Sequence, residues 1–463
     1  MSSFSMKFFI VVECIVLALL AAQTILLHAY SSSHTAQGVA AAVVFAVLCL
    51  HKWRLELIPG YILFVVNAAV GISTTAPGWL WAIQGVLALL EILFVVLFPL
   101  PRFPALSKAH PDIGCITMRF NKVDCRIFYP ANPTKPGRPW LRYLHHGKHL
   151  AIGLHIFAEL PAIFFSSFQN GVLNARVEAP LKSPSTPEGW PVVVFSHGLG
   201  GSLEMYSSFA QSLASEGFIV VSLNHSDGSG AVFRNLDNVT YTYYDRPPAS
   251  YAADWTGLGY QYRNKQLKQR VQHVRDVVDA IIALQNDASS VFYQQINIDK
   301  IAVAGHSFGG ATALTAAKRD ARLKVMVGLD IWMEPLDEDV VAEGVSTVPV
   351  CSIISQHWHT EWESHFKLLQ ANSRHCSHPQ STFLAIEKTR HNNFCDLALF
   401  SPFMNAQFKA TGSINPTYML GMVGQLMAAY IRQQFTDETP YDALDGKFPE
   451  VIQLKDTTYN TFP

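Results

Sequence analysis

The sequence predicts an α/β fold, a mostly parallel sheet covered by helices, preceded by an all-α transmembrane helical anchor. Three observations carry this. From Pro191 onward short apolar runs alternate with helical stretches, the pattern of strands buried on both faces. Hydrophobic residues are 49% of the 463 and charged ones only 15%, so part of the chain belongs in lipid. That apolar excess is concentrated ahead of residue 106, which divides the chain into an anchor, 1–106, and a folded domain, 107–463.

Four apolar stretches, 8–30, 36–53, 57–73 and 79–98, are expected to span the bilayer. The first also has the form of a signal peptide, with Lys7, an apolar core and small residues near Ala22. Lys7, Lys52, Arg54, Arg102 and Lys108 fall on one side, and the 31–35 and 74–78 loops hold no Lys or Arg. By the positive-inside rule the N-terminus and the large C-terminal part face the cytoplasm. Glu13, Asn67, Gln84 and Glu91 within these stretches suit inter-helix hydrogen bonding better than a polar pathway. The sequon Asn238-Val239-Thr240 would count only under the opposite topology.

A proline-rich connector (Pro99, Pro101, Pro104, Pro111) leads out of the anchor. Alternation at Ile116, Met118 and Phe120, a turn at Asn121-Lys122, and alternation at Val123, Cys125, Ile127 and Tyr129 predict a hairpin. The aromatic-rich stretch 150–172 reads as a segment that dips into the bilayer surface, a cover over a lipid pocket, or a core helix. Strands are expected at 192–195, 218–222, 301–304, 324–329, 348–354 and 382–386, with a helix near 203–215. Leu267, Val271, Val274, Val278 and Ile281, at steps of four and three, give a long helix one apolar face. A last helix, 416–435, begins at Pro416 and reads as an amphipathic packing helix.

The chemistry centres on Gly305-His306-Ser307-Phe308-Gly309, between an apolar strand and a helix. There a tight turn pushes the Ser307 hydroxyl outward. A serine needs a base to take its proton, and the base needs an acid to fix its tautomer. In the α/β-hydrolase fold these follow in the order serine, acid, histidine at strand ends. Asp330 ends the strand 324–329, and His391 follows 382–386. Asp337 and Asp339 are rival acids farther along the loop. The oxyanion would be met by two backbone N–H groups, those of Phe308 and of Leu199 in Phe195-Ser-His-Gly-Leu-Gly-Gly201.

A net charge of −1 gives no basic field for nucleic acid. Cys115, Cys125, Cys351, Cys376 and Cys395 lack paired spacing and read as free thiols. His357, His359, His365, His375, His378 and Cys376 form no convincing tetrahedral set, so neither metal nor cofactor is expected.

The chain resembles the platelet-activating-factor acetylhydrolase family over about 110–435. The resemblance rests on 195–200, Arg263-Asn-Lys-Gln-Leu-Lys-Gln-Arg270, 300–312, Leu329-Asp-Ile-Trp-Met-Glu-Pro-Leu336 and His391-Asn-Asn-Phe-Cys-Asp396. It implies calcium-independent hydrolysis of the sn-2 ester of phospholipids with short or oxidised acyl chains. Ser307 would be the nucleophile, Asp330 the orienting acid, His391 the base, and Leu199 and Phe308 the oxyanion donors. Trp332 and Met333 would line the acyl pocket. Glu334 stands where the family has an aromatic residue, and His225-Ser226-Asp227 where it has His-Arg-Asp; both departures bear on head-group and chain-length preference. An esterase or acyltransferase of another lipid, and a silent lipid-binding membrane receptor, are the rival readings.

Overall fold

The computed structural model describes residues 15, 18–23, 39, 41–45, 57–72, 79–97, 101–132, 139–252, 254–400 and 402–454. Two apolar helices come first, α1 (Ile58–Ile72) and α2 (Trp79–Leu97). Among the described residues only α2, with 19 residues, is long and apolar enough to cross a membrane. At 15 residues, α1 is shorter than the roughly 20 a span requires. The expected spans at 8–30 and 36–53 lie largely outside the described residues, so the four-span count is not supported. Glu91 accepts the Gly60 N–H at 2.8 Å and Gln84 donates to Asn67 at 2.9 Å, so these polar side chains join α1 to α2.

The folded domain is built on an eleven-stranded sheet. Its elements in chain order are β1 (Ile113–Phe120), β2 (Val123–Pro130), β3 (Trp140–Arg142), α3 (Lys148–Ala158), β4 (Val172–Val177), β5 (Trp190–Ser196), α4 (Ser207–Ser215) and β6 (Ile219–Asn224). A separate hairpin, β7 (Val232–Arg234) and β8 (Tyr241–Tyr243), precedes α5 (Leu258–Asn286), β9 (Ile296–His306), α6 (Phe308–Arg319) and β10 (Leu323–Leu329). Then come α7 (Glu338–Glu343), β11 (Val350–Ser355), α8 (Gln356–Thr360), α9 (Glu363–His375), β12 (Thr382–Ile386), α10 (Pro402–Gln407), α11 (Pro416–Phe435) and β13 (Val451–Gln453). The strand order is β13-β12-β11-β10-β9-β5-β6-β2-β1-β4-β3. From β12 through β6 neighbours are parallel, whereas β2, β3 and β13 pair antiparallel.

Period two sorts the core into two layers. Val193, Phe195, Ala302 and Ala304 face α4 and α11; Val192, Val194, Ile301 and Val303 face α5 and α6. The α5 stripe Leu267, Val271, Val274, Val278 and Ile281 is buried as its spacing predicts. The sheet holds the C-terminal ends of β5, β9, β10 and β12 along one edge, and the residues of interest lie just past them.

Candidate active site

Ser307 stands between β9 and α6 at φ 57°, ψ −119°. A non-glycine residue there carries strain on the order of 1–3 kcal/mol, held only if its surroundings over-determine it. They do. Its N–H donates to the Leu329 carbonyl at 2.8 Å, and its own carbonyl accepts from Ala311 and Trp332 at 3.0 and 3.2 Å. A Cβ on Gly309 would lie 2.0 Å from the Ser196 carbonyl oxygen and 2.7 Å from that of His197. Only glycine at 309 lets the loop after β5 come this close to the start of α6.

Asp330 is fully buried and directly follows β10. Its Oδ1 accepts the Ser355 N–H at 2.6 Å, and its Oδ2 accepts the Ser355 hydroxyl at 2.7 Å and faces His391 Nδ1 at 3.0 Å. The parallel register, Leu329 opposite Ile353, brings the end of β11 beside Asp330. An ionised carboxylate only accepts, so Nδ1 carries the proton and Nε2 keeps a free lone pair. His391 opens the turn after β12 and is flanked by two rings. Trp358 stacks on it at 4.6 Å with planes 2° apart, and His306 packs at 4.4 Å. Burial and the neighbouring His391 hold the His306 pKa well below the ordinary imidazole value, and its Nδ1 is 2.9 Å from the Tyr206 hydroxyl.

The loop after β5 spends its N–H groups selectively. Gly198 donates to the Tyr206 hydroxyl at 3.0 Å, Gly200 to the Ser229 carbonyl at 2.8 Å and Gly201 to the Gly198 carbonyl at 3.0 Å. Among the described residues the N–H groups of Leu199 and Phe308 have no acceptor. Phe308 is fully buried and Leu199 half-buried, where a donor normally finds a partner, so two left over beside a serine suit an anion that forms only during reaction.

Ser307, His391 and Leu199 line one cavity of about 560 Å³. No hydrogen bond joins the Ser307 hydroxyl to His391 among the described residues, as is common for such pairs before substrate arrives. The walls are mostly apolar, and Leu154, Phe157, Phe164, Phe165 and Phe168 come from the 150–172 stretch, which therefore covers the pocket. Trp332 lines the cavity, but Met333 does not. Met333 is 1% exposed in the core beneath, its N–H donating to His365 Nε2 at 3.1 Å, because the Trp332 indole takes the wall position instead. Glu334 lies 3.3 Å from the same His365 nitrogen.

Asp337 pairs with Lys268 at 3.2 Å and Asp339 with Arg319 at 2.7 Å, so the rival acids are engaged in ion pairs on the loop and helix surface. His357, His359, His365, His375, His378 and Cys376 do not gather three ligand atoms among the described residues; the one such group is His306, Asp330 and His391. Two of its members are bonded to each other and the third to Tyr206. Sequence reasoning missed Ser355 and Trp358. A serine closing the strand next to the acid was the available signal for the first; the second had none.

Residues 102–453 match the family described as Platelet-activating factor acetylhydrolase, isoform II. The chain is similar to the platelet-activating factor acetylhydrolase of Canis lupus familiaris, 26% identical over 72% of this chain and 78% of the relative. It is also similar to that of Bos taurus, 25% identical over 80% and 84%. Among solved structures it is similar to a ferulic acid esterase from Streptomyces cinnamoneus, with a TM-score of 0.55 and 16% identity over 76% of this chain and 98% of that one. At that identity the likeness speaks to the fold alone.

Proposed function

Because the chain belongs to the platelet-activating factor acetylhydrolase family and is accordingly a carboxylic ester hydrolase of phospholipids, we propose that it cleaves the sn-2 ester of phospholipids carrying short or oxidised acyl chains. The observation that carries the mechanism is the His391–Asp330 pair at 3.0 Å on the cavity that Ser307 also lines. His391 Nε2 takes the Ser307 proton as Oγ attacks the sn-2 carbonyl, and the N–H groups of Leu199 and Phe308 receive the oxyanion. Collapse passes the proton to the departing glycerol oxygen and leaves an acyl-Ser307 ester. Water, deprotonated by His391, then releases the fatty acid. Protein groups supply both nucleophile and charge stabilisation, so calcium has no step to perform.

The acyl reading is supported by the walls: the cavity of about 560 Å³ is lined mostly by apolar side chains, as a pocket for an acyl chain requires. Residues 1–106 are proposed to tether the domain 107–463 to the cytoplasmic face of a bilayer, raising the effective concentration of lipid at the pocket.

Two measurements test this. A fluorophosphonate probe is expected to label the protein on the peptide containing Ser307; labelling of another serine would sink the assignment. On phospholipids varied only at sn-2, acetyl and truncated oxidised chains are expected to be hydrolysed at least about tenfold faster than palmitoyl, because each further methylene drawn from the bilayer and left without a pocket forfeits about 0.8 kcal/mol of apolar burial. Equal rates would overturn the short-chain reading while leaving the esterase intact.

A further inference from the structure

We propose that Arg270 is the residue that positions the oxyanion hole, one buried guanidinium tying the Leu199 loop and Phe308 together. This rests on Ser307 being the nucleophile and goes beyond it. Arg270 lies within α5, and its side chain is 0% exposed. Its Nη1 donates to the His197 carbonyl at 2.6 Å, and its Nη2 is 3.2 Å from His197 Nδ1. Its Nε donates to the Ser229 hydroxyl at 2.8 Å and to Asp227 Oδ2 at 3.3 Å. Its Cζ sits 4.5 Å from the centroid of the Phe308 ring.

These contacts border the two free N–H groups. His197 precedes Leu199 by two residues and is held directly. Gly200, which follows Leu199, is held by the Ser229 carbonyl at 2.8 Å, and Ser229 is in turn bonded to Arg270. The chain is thus fixed on both sides of Leu199. The ring under the guanidinium belongs to the residue that carries the other free N–H.

The chemistry asks for arginine. A planar fork can donate in several directions at once and still stack on an aromatic face, which the point charge of a lysine cannot. Placing a cation here costs several kcal/mol of desolvation even with Asp227 as partner, and hydrocarbon would fill the space at less cost. What hydrocarbon could not do is hold a carbonyl, a hydroxyl and a ring in one register. That register matters because losing one oxyanion donor costs about 10²–10³ in kcat.

The test uses the full chain with Arg270→Lys and, so that no uncompensated carboxylate remains, the double variant Arg270→Gln/Asp227→Asn. Fluorophosphonate titration to its end point counts competent sites. Per titrated site, kcat on a short-chain phospholipid is expected to fall about 10²-fold with KM within threefold. A trifluoromethyl ketone analogue, whose serine adduct bears an oxyanion, should bind weaker by a similar factor, and an ether analogue without a carbonyl should bind within threefold of wild type. Unchanged kcat and ketone affinity in either variant would overturn the proposal, as would equal losses for ketone and ether, which would mark a collapsed pocket. Wild-type protein that neither titrates nor binds the ketone would instead refute the reading of Ser307.

Discussion

Asp330→Asn is expected to lower kcat by about 10⁴-fold while leaving the protein folded. The reason lies in what surrounds the carboxylate. Oδ1 accepts a backbone N–H, that of Ser355, which can neither move away nor accept in return. An asparagine must therefore put its oxygen there and turn its NH₂ toward the position of Oδ2. The Ser355 hydroxyl, which already accepts the Trp358 N–H at 3.3 Å, can rotate to accept from that NH₂ as well, so only its own hydrogen loses an acceptor. His391 Nδ1 cannot adapt so simply. Facing a donor, it must become the acceptor, which moves the ring proton to Nε2 and removes the lone pair that would take the Ser307 proton. Circular dichroism and melting temperature should change little, labelling by fluorophosphonate should slow with kcat, and Ser307→Ala should lose labelling altogether. Retention of more than about a tenth of wild-type kcat in Asp330→Asn would mean that another group orients His391.

The positions of these residues are legible in the sequence because strand ends are. Apolar runs such as 324–329 and 382–386 are recognisable by their bounds, and Asp330, directly past the first, and His391, five residues past the second, are brought to the C-terminal edge of the sheet by chain connectivity. The hairpin and the α5 stripe are legible for a related reason, since one period governs the whole element. The strands that pair antiparallel at the two ends of the sheet are less legible. In β4 Asn174 and Arg176 interrupt an apolar reading, and β3 and β13 have three residues each, too few for a period to show. Ser355 and Trp358 depend on which strand lies beside which; a serine closing a strand hints at the first, and sequence spacing carries nothing for the second. The family resemblance implies both Trp332 and Met333 at the acyl pocket, yet at a bend past a strand end neighbours in sequence need not share a surface, and only Trp332 lines it. For 150–172, composition allows a membrane face, a pocket cover or a core helix; the structure supports the last two together, since Phe164, Phe165 and Phe168 wall the pocket while Leu150, Leu154, Phe165 and Phe168 are buried in the core.

Lowering the pH from 7.5 to 5.5 is expected to reduce the melting temperature by up to about 5 °C, more than surface carboxylates could cause. Burial is the leading cause of a depressed pKa at His145, pushed to about 4, at His197, His225 and His306, each well below the ordinary value, and at His273. The sign follows from which state binds the proton. Near pH 7.5 these rings are neutral in both states. Below about 6.5 the unfolded chain protonates them and the folded one does not, so stability is lost as pH falls toward the folded pKa values. At pH 5.5 each ring contributes roughly 1.4 kcal/mol, and five together about 7 kcal/mol at most.

Asp396 opposes this. Burial pushes its carboxyl up to about 8, so over the same interval the folded state holds a proton the unfolded state has released. Across two pH units that restores about 3 kcal/mol, leaving a net loss of about 4 kcal/mol at most. Against a total stability of about 5–15 kcal/mol this is a large share, and at roughly 1.3 °C per kcal/mol, the scale for a domain of about 350 residues, it gives the stated shift. Asp396→Asn removes the opposing group, so its melting temperature should fall more steeply between pH 7.5 and 5.5 than that of the wild type. A wild-type melting temperature that stays level across this interval would show that the buried rings take up protons in the folded state about as readily as in the unfolded one. His306 would then charge beside His391 within this range, against the neutral ring argued for it.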